Sequence, residues 1–218
     1  MCPQIIIRKL EKGEISRLKQ LLSDSVRFSI NAPYDLKGPK IRRMEDIMSS
    51  GELFTDSEVA KFIRKQNGII LMAHNEPDGA VGYAMLDPRP SQVIWPLVKS
   101  GIATRFISWQ YGSPIRILNS GLKAKKTMRD GIPHVPQGFA EVSIGVLEQF
   151  TNLGIGSKLL SELETQAQQW GIHQIGALIS SPNARSVAFF EKHGYSKSPK
   201  EFTFLDYKIL VFTKELKP

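Results

Sequence analysis

Leu153-Gly154-Ile155-Gly156-Ser157-Lys158-Leu159-Leu160 is the stretch of this chain best suited to hold an anion. Its glycines let the backbone come close to a ligand, and the first N–H groups of a helix have no intrahelical acceptors. Such amides donate to phosphate, helped by a helix dipole worth roughly half a positive charge at that end. Taken alone, the Gly154/Gly156 pair describes a structural turn equally well. Other residues with chemical capacity are scattered. His74, His134, His173 and His193 show no metal-ligand spacing, so each reads as a surface or loop residue and no metal is expected. Ser143 and Ser157 lack a nearby Asp/His arrangement that would support a nucleophile. Glu141 and Glu148 are acidic candidates, one on the segment before the turn and one at its exit.

The elements around the turn give it direction. In Ala140 to Leu147, Val142, Ile144 and Val146 recur at period 2 with small Ser143 and Gly145 between them, as in a buried strand. After the turn, Ile155, Leu159, Leu160, Leu163, Ala167 and Trp170 recur at spacings of three and four, and Gly171 is a stop signal. The order is therefore strand, turn, helix. Another apolar strand, Gln174 to Ser180, leads into Asn183-Ala184-Arg185-Ser186-Val187-Ala188-Phe189-Phe190-Glu191-Lys192-His193-Gly194-Tyr195, a short helix with Asn183 near its cap and Gly194 at its end.

With both helices in this order, the sequence resembles the GNAT superfamily of acyl-CoA-dependent N-acyltransferases. The family pattern is Arg/Gln-x-x-Gly-x-Gly/Ala before the long helix, then Asn, Phe/Tyr-Tyr, Glu-Lys and Gly-Phe at fixed offsets. Gly154, Gly156, Asn183, Phe189, Glu191, Lys192, Gly194 and Tyr195 fall in register with it. The resemblance is specific from about Ala140 to Tyr195 and topological elsewhere. Two residues depart from it: Thr151 stands where the family carries Arg or Gln, and Phe190 where it commonly carries a general-acid tyrosine. The leaving group of an acyl-CoA is a thiol with a pKa near the ~8.5 of cysteine, so it can depart as thiolate or be protonated by water.

The resemblance implies an α/β (α+β) fold with a mixed, mostly antiparallel central sheet flanked by helices. It also implies acetyl-CoA as co-substrate, with its diphosphate on the amides of Asn152, Leu153, Gly154, Ile155, Gly156 and Ser157. The pantetheine arm would lie along Ile144, Gly145 and Val146, with Asn183 and Phe190 also in the cofactor-binding set, and a backbone N–H near Val146 would stabilise the oxyanion. An acceptor amine with pKa near ~10 must lose a proton before it attacks. Glu141 is the acidic candidate on the central strand, but it sits at an odd offset from Val146. Family members with a base on this strand carry it on Val146's own face, where this chain has Ala140, Val142 and Ile144, so a structural or surface role is preferred for Glu141. Glu148, Asp35 and Glu45 are weaker candidates, and Tyr34, Tyr111 and Tyr207 are the hydroxyls that could replace the missing acid.

The flanking chain completes the plan. Gln4 to Leu10 reads as a strand and Gly13 to Ser25 as an amphipathic helix; Pro33 to Pro39 interrupts, and a helix is expected over Ile41 to Ser50. Thr55-Asp56-Ser57-Glu58 is a cap signal before Val59, Phe62 and Ile63. Ile69 to His74 and Ala80 to Leu86 form a predicted hairpin, and Phe202 to Lys214 a final strand or strand pair. Between Asp87 and Gly138 lies a long insertion separating the third and fourth strands, with Trp95, Phe106, Trp109 and Tyr111 arguing for order.

The 218 residues suit one domain, and the single cysteine, Cys2, fits a reducing, cytoplasmic setting. The net charge is +8, and the eight basic residues between Pro88 and Arg129, with no Asp or Glu among them, account for all of it. That segment suits an acceptor-site cap favouring an anionic substrate or the CoA phosphates, a peripheral membrane contact, or a surface for an acyl carrier protein. It carries no nucleic-acid motif. The expected activity is transfer of acetyl to a primary amine of a small-molecule or peptidyl acceptor, by a monomer or homodimer; the competing reading is a non-catalytic acyl-CoA-binding module or regulator.

Overall fold

The computed structural model describes residues 4–31, 54–65, 68–88, 139–180, 183–204 and 207–217. The elements, in chain order, are β1 (Ile5–Lys9), α1 (Ile15–Asn31), α2 (Asp56–Lys65), β2 (Ile69–Asn75), β3 (Gly79–Asp87), β4 (Phe139–Val146), α3 (Ile155–Gln169), β5 (Gln174–Ser180), α4 (Ala184–Lys192), β6 (Ser196–Phe204) and β7 (Tyr207–Glu215). The strands form a seven-stranded sheet in the order β1-β2-β3-β4-β5-β7-β6. All neighbours are antiparallel except β4 and β5. The mixed, mostly antiparallel sheet with flanking helices is the fold the sequence implies. The insertion, the Ile41 to Ser50 helix, Tyr34, Asp35, Glu45, Tyr111 and His134 lie outside the described residues.

Local chemistry explains the element ends. The α2 cap is reciprocal: Thr55 Oγ1 accepts from the Glu58 amide at 3.2 Å, and Glu58 Oε2 accepts from the Thr55 amide at 2.7 Å. α1 runs six residues beyond the expected stop at Ser25. The helical backbone continues past Ser25 to Asn31. The expected final strand pair begins earlier than Phe202, at Ser196. No helix among the described residues is long and apolar enough to cross a membrane.

The two faces of the sheet differ at its centre. On one, Leu159 of α3 closes on β3 and β4: a Cβ at Gly82 would meet Val146 Cγ2 at 3.3 Å and Leu159 Cδ1 at 3.4 Å. Val142, Ala140, Leu159, Leu160 and Leu163 are buried there. On the other, α1 arrives: a Cβ at Gly145 would lie 2.4 Å from Tyr83 Cε1 and 3.0 Å from Ser25 Oγ. Gly145 thus leaves room for the Tyr83 ring. The Tyr83 hydroxyl hydrogen-bonds Ser25 and Ser143, and burial raises its pKa.

Candidate active site

β4 and β5 are paired only over Phe139–Glu141 and Gln174–Gly176, yet β4 continues to Val146 and β5 to Ser180. Beyond Glu141 and Gly176 the two parallel strands therefore diverge and leave a gap. The Leu147 amide donates to Val81 O at 2.9 Å. With unbroken antiparallel register, alternate residues of β4 point their polar backbone at β3 and the others away from it. The amides of Ile144 and Val146 accordingly face the gap, past the last rung to β5. These are strand-edge donors looking for an acceptor.

The Gly154 turn closes the same end. Thr151 and Leu153 flank Asn152, which has φ 64°, and Gly154 has φ 78°, a left-handed conformation that suits glycine. The first helical bond of α3 runs from the Lys158 amide to Gly154 O at 3.0 Å. The amides of Ile155, Gly156 and Ser157 thus precede the ladder. Gly156 brings α4 against this end of α3, since a Cβ there would lie 3.3 Å from the Phe189 ring. Thr151 turns its hydroxyl away: Oγ1 donates to Glu148 O at 2.6 Å. Leu153 is 53% exposed beside the turn.

Ser157 does have a histidine partner, which corrects the reading of both residues from sequence. His193 Nε2 lies 2.9 Å from Ser157 Oγ, and its Nδ1 lies 2.7 Å from Phe189 O. A carbonyl can only accept, so Nδ1 carries hydrogen, and in the neutral ring Nε2 accepts from the Ser157 hydroxyl. His193 is thus a half-buried bridge between α3 and α4 rather than a free surface residue. The two residues are far apart in sequence, so local spacing gave no sign of the contact.

Asn183 and Phe190 are placed as supports. Asn183 is buried and its Oδ1 accepts from the Ser186 amide at 3.0 Å, capping α4. Phe190 is 6% exposed, its ring 5.0 Å from Tyr195 and 5.2 Å from Phe189, edge to face in both cases. Tyr195 in turn donates to Glu164 Oε1 at 3.2 Å, and Lys214 Nζ donates to both Glu164 oxygens at 2.8 Å. Burial, and then the Glu164 charge, raise the Tyr195 pKa. These contacts fix α4 to α3 and leave Phe190 little ring surface for a ligand.

Of the carboxylates, Glu148 is exposed in a short 3-10 turn after β4. Glu141 sits at the apex of the gap, paired across the ladder with Asp87 of β3 and with Gly176 of β5. Its side chain is on the α1 face, with Ser143 and Tyr83, opposite Val146 as the odd offset requires. The Val146 face is sealed by α3. Burial first, then the Asp87 charge, push the Glu141 carboxyl up to about 8. Asp87, the carboxylate that sequence spacing missed, is 5% exposed. Among the described residues no group of three or more His, Cys, Asp or Glu could hold a metal ion.

The sequence profile of the acetyltransferase (GNAT) family matches residues 40–195. A search of curated protein sequences gives no match. Solved structures with the same fold include the PaiA N-acetyltransferase of Thermoplasma acidophilum in complex with coenzyme A. It is 14% identical with TM-score 0.59, the match covering 97% of this chain and 99% of that one. yncA of Salmonella typhimurium, with its cofactor acetyl-CoA, is 16% identical with TM-score 0.52, covering 98% and 94%. The ribosomal-protein-alanine N-acetyltransferase of Brucella melitensis is 18% identical with TM-score 0.53, covering 97% and 99%. At these identities the likeness is one of fold.

Proposed function

The chain belongs to the acetyltransferase (GNAT) family, and from that premise we propose that it transfers acetyl from acetyl-CoA to a primary amine of a small-molecule or peptidyl acceptor. The observation that carries this reading is the coincidence of two donor sets at one end of the sheet: the unpaired β4 edge and the free amides opening α3. Acetyl-CoA asks for both. Its diphosphate sits on the amides of residues 152–157, and the two amides of its pantetheine arm continue along β4 as a short extra strand would. The arm runs from the turn back toward the apex. Of the β4 amides facing the gap, that of Ile144 is nearest the apex, so it, rather than Val146, donates to the carbonyl oxygen as negative charge develops there.

Direct attack then needs a neutral amine. Glu141, beside the apex on the face toward α1, takes the ammonium proton directly or through one water. A carboxylate near 8 is well matched to that task, because it is a stronger base than an ordinary one. The amine attacks the thioester carbon, the tetrahedral oxyanion collapses, and the C–S bond breaks. The thiolate leaves and takes up, directly or through water, the second proton that the attacking nitrogen sheds as it becomes the amide. Phe190 has no proton to supply at this stage.

Calorimetric titration with acetyl-CoA tests the cofactor reading. Binding below about 1 mM is expected, the range of ordinary substrate affinities, and absence of heat at that concentration overturns it. Thiol release with a panel of amines separates enzyme from binder. The second reading, an acyl-CoA-binding module, is favoured by the Thr151 hydroxyl bonded back to Glu148 O and by the buried Phe190. It predicts binding without thiol release.

The Ser157–His193 contact gives a narrower expectation. Ser157→Ala removes a hydroxyl next to the diphosphate amides and leaves them intact, so acetyl-CoA should bind about 3- to 10-fold more weakly, with a melting temperature lowered by about 2–4 degrees through loss of the His193 hydrogen bond. An unchanged dissociation constant would place Ser157 outside the contact.

A further inference from the structure

Glu141 does not stand alone at the apex. It and Asp87 are directly opposed in the β3–β4 ladder and share one face of the sheet. The Leu147–Val81 bond fixes the phase of the ladder, making this a hydrogen-bonded pair, with Cα atoms about 5.5 Å apart in such geometry. Opposed like charges repel at that range, and Asp87 is buried while Glu141 is half-buried. We propose that Asp87 is a positioning residue for Glu141: the two opposed carboxylates bind one proton between them, and Asp87 keeps that proton on Glu141. The proposal rests on the reading of Glu141 as the base.

The surroundings favour this division of roles. Asp87 ends β3, engaged by a further polar or electrostatic interaction, while Glu141 sits on the last rung between β4 and β5. From β5, Gly176 opposes Glu141 with no side chain. From β4 and α1 come the Ser143 and Ser25 hydroxyls, both engaged by Tyr83. Among the described residues Asp87 is the charged group acting on Glu141. Two ionised carboxylates cannot be held side by side without cost, so the pair titrates in two separated steps. The second step is the one the reaction uses. Once Glu141 has lost its proton, the neighbouring negative charge favours its return, and that makes Glu141 a stronger acceptor for the ammonium proton.

The experiment follows the carboxyl carbons of Glu141 and Asp87 by NMR in protein labelled at Glu and Asp, for the wild type, Asp87→Asn and Asp87→Glu. In Asp87→Asn the Glu141 midpoint should fall by about one unit or more, and in Asp87→Glu, which keeps the charge, it should stay high. Thermal melting confirms that each variant is folded; if Asp87→Asn is not, Asp87→Ser takes its place. An unchanged Glu141 midpoint without the Asp87 charge overturns the proposal. With any amine that turns over, the acid limb of kcat/KM should move by the same amount. Glu141→Gln separates the two ideas. If it retains full transfer, the base reading fails, whereas a lost limb in Glu141→Gln with an unmoved limb in Asp87→Asn rejects only the role of Asp87.

Discussion

Glu141→Gln should lower kcat by roughly 10²- to 10⁴-fold, the usual contribution of a positioned general base, with little change in acetyl-CoA affinity. The same substitution should raise stability at alkaline pH. An unfolded Glu141 titrates near 4.5, whereas the folded one is pushed to about 8 by burial and by Asp87. Between those values the folded state holds the extra proton, so its stability falls as pH rises through that window. Above the folded value the full penalty is present, and below the unfolded value it vanishes. Glutamine does not ionise and removes the penalty, so above pH 8 the variant should exceed the wild type by roughly 2–4 kcal/mol. Melting temperatures measured across that pH range check this. Parallel melting curves for the two proteins would show that Glu141 titrates normally. Loss of activity combined with gain of stability is the pattern of a residue kept for function rather than folding.

Gly176→Ala should be the most damaging single-methyl change in the sheet. A Cβ at Gly176 would lie 2.3 Å from Phe212 O and 2.6 Å from two atoms of the Phe139 ring. The ring can turn, but the carbonyl belongs to β7, which is paired on both sides by β5 and β6, and cannot yield cheaply. Gly176 is also the last residue of β5 paired with β4, so a displaced backbone there moves the point of divergence itself. We expect a loss of about 3 kcal/mol or more, several degrees or more in melting temperature, together with loss of acetyl-CoA binding. Denaturant midpoints measure the first effect and calorimetry the second. Wild-type stability in Gly176→Ala would mean that β5 and β7 separate freely at this point.

Much of this was legible in the sequence because the relevant signals are local. Alternating Val142, Ile144 and Val146, the Gly154 turn and the periodic α3 positions define one strand, one turn and one helix within a few residues of their observed bounds. β6 was less legible. Its Ser196-Lys197-Ser198-Pro199-Lys200-Glu201 start has no alternation and contains proline, which a strand tolerates only at an edge or an irregularity. β6 is an edge strand, and its register shifts between Lys197 and Glu201. The site was divided in the same way. Glycine spacing marked the turn before α3, and the family resemblance suggested its use as a cradle, but the Glu141–Asp87 and Ser157–His193 pairs needed the strand register and the helix contact that bring distant residues together. The side assigned to Glu141 followed from parity. What parity could not show is that α3 closes the opposite face.

The Thr151 hydroxyl bonded back to Glu148 O has a consequence for how such a site changes over time. A ligand held by side-chain charge is lost when one codon changes. One held by peptide groups is indifferent to most substitutions, provided the turn keeps its two left-handed residues, Asn152 and Gly154. The turn can therefore drift in composition while its donors stay in place, and selection acts on the path of the backbone instead of on the letters along it. The likeness of this chain to solved structures 14–18% identical is likewise a likeness of backbone path.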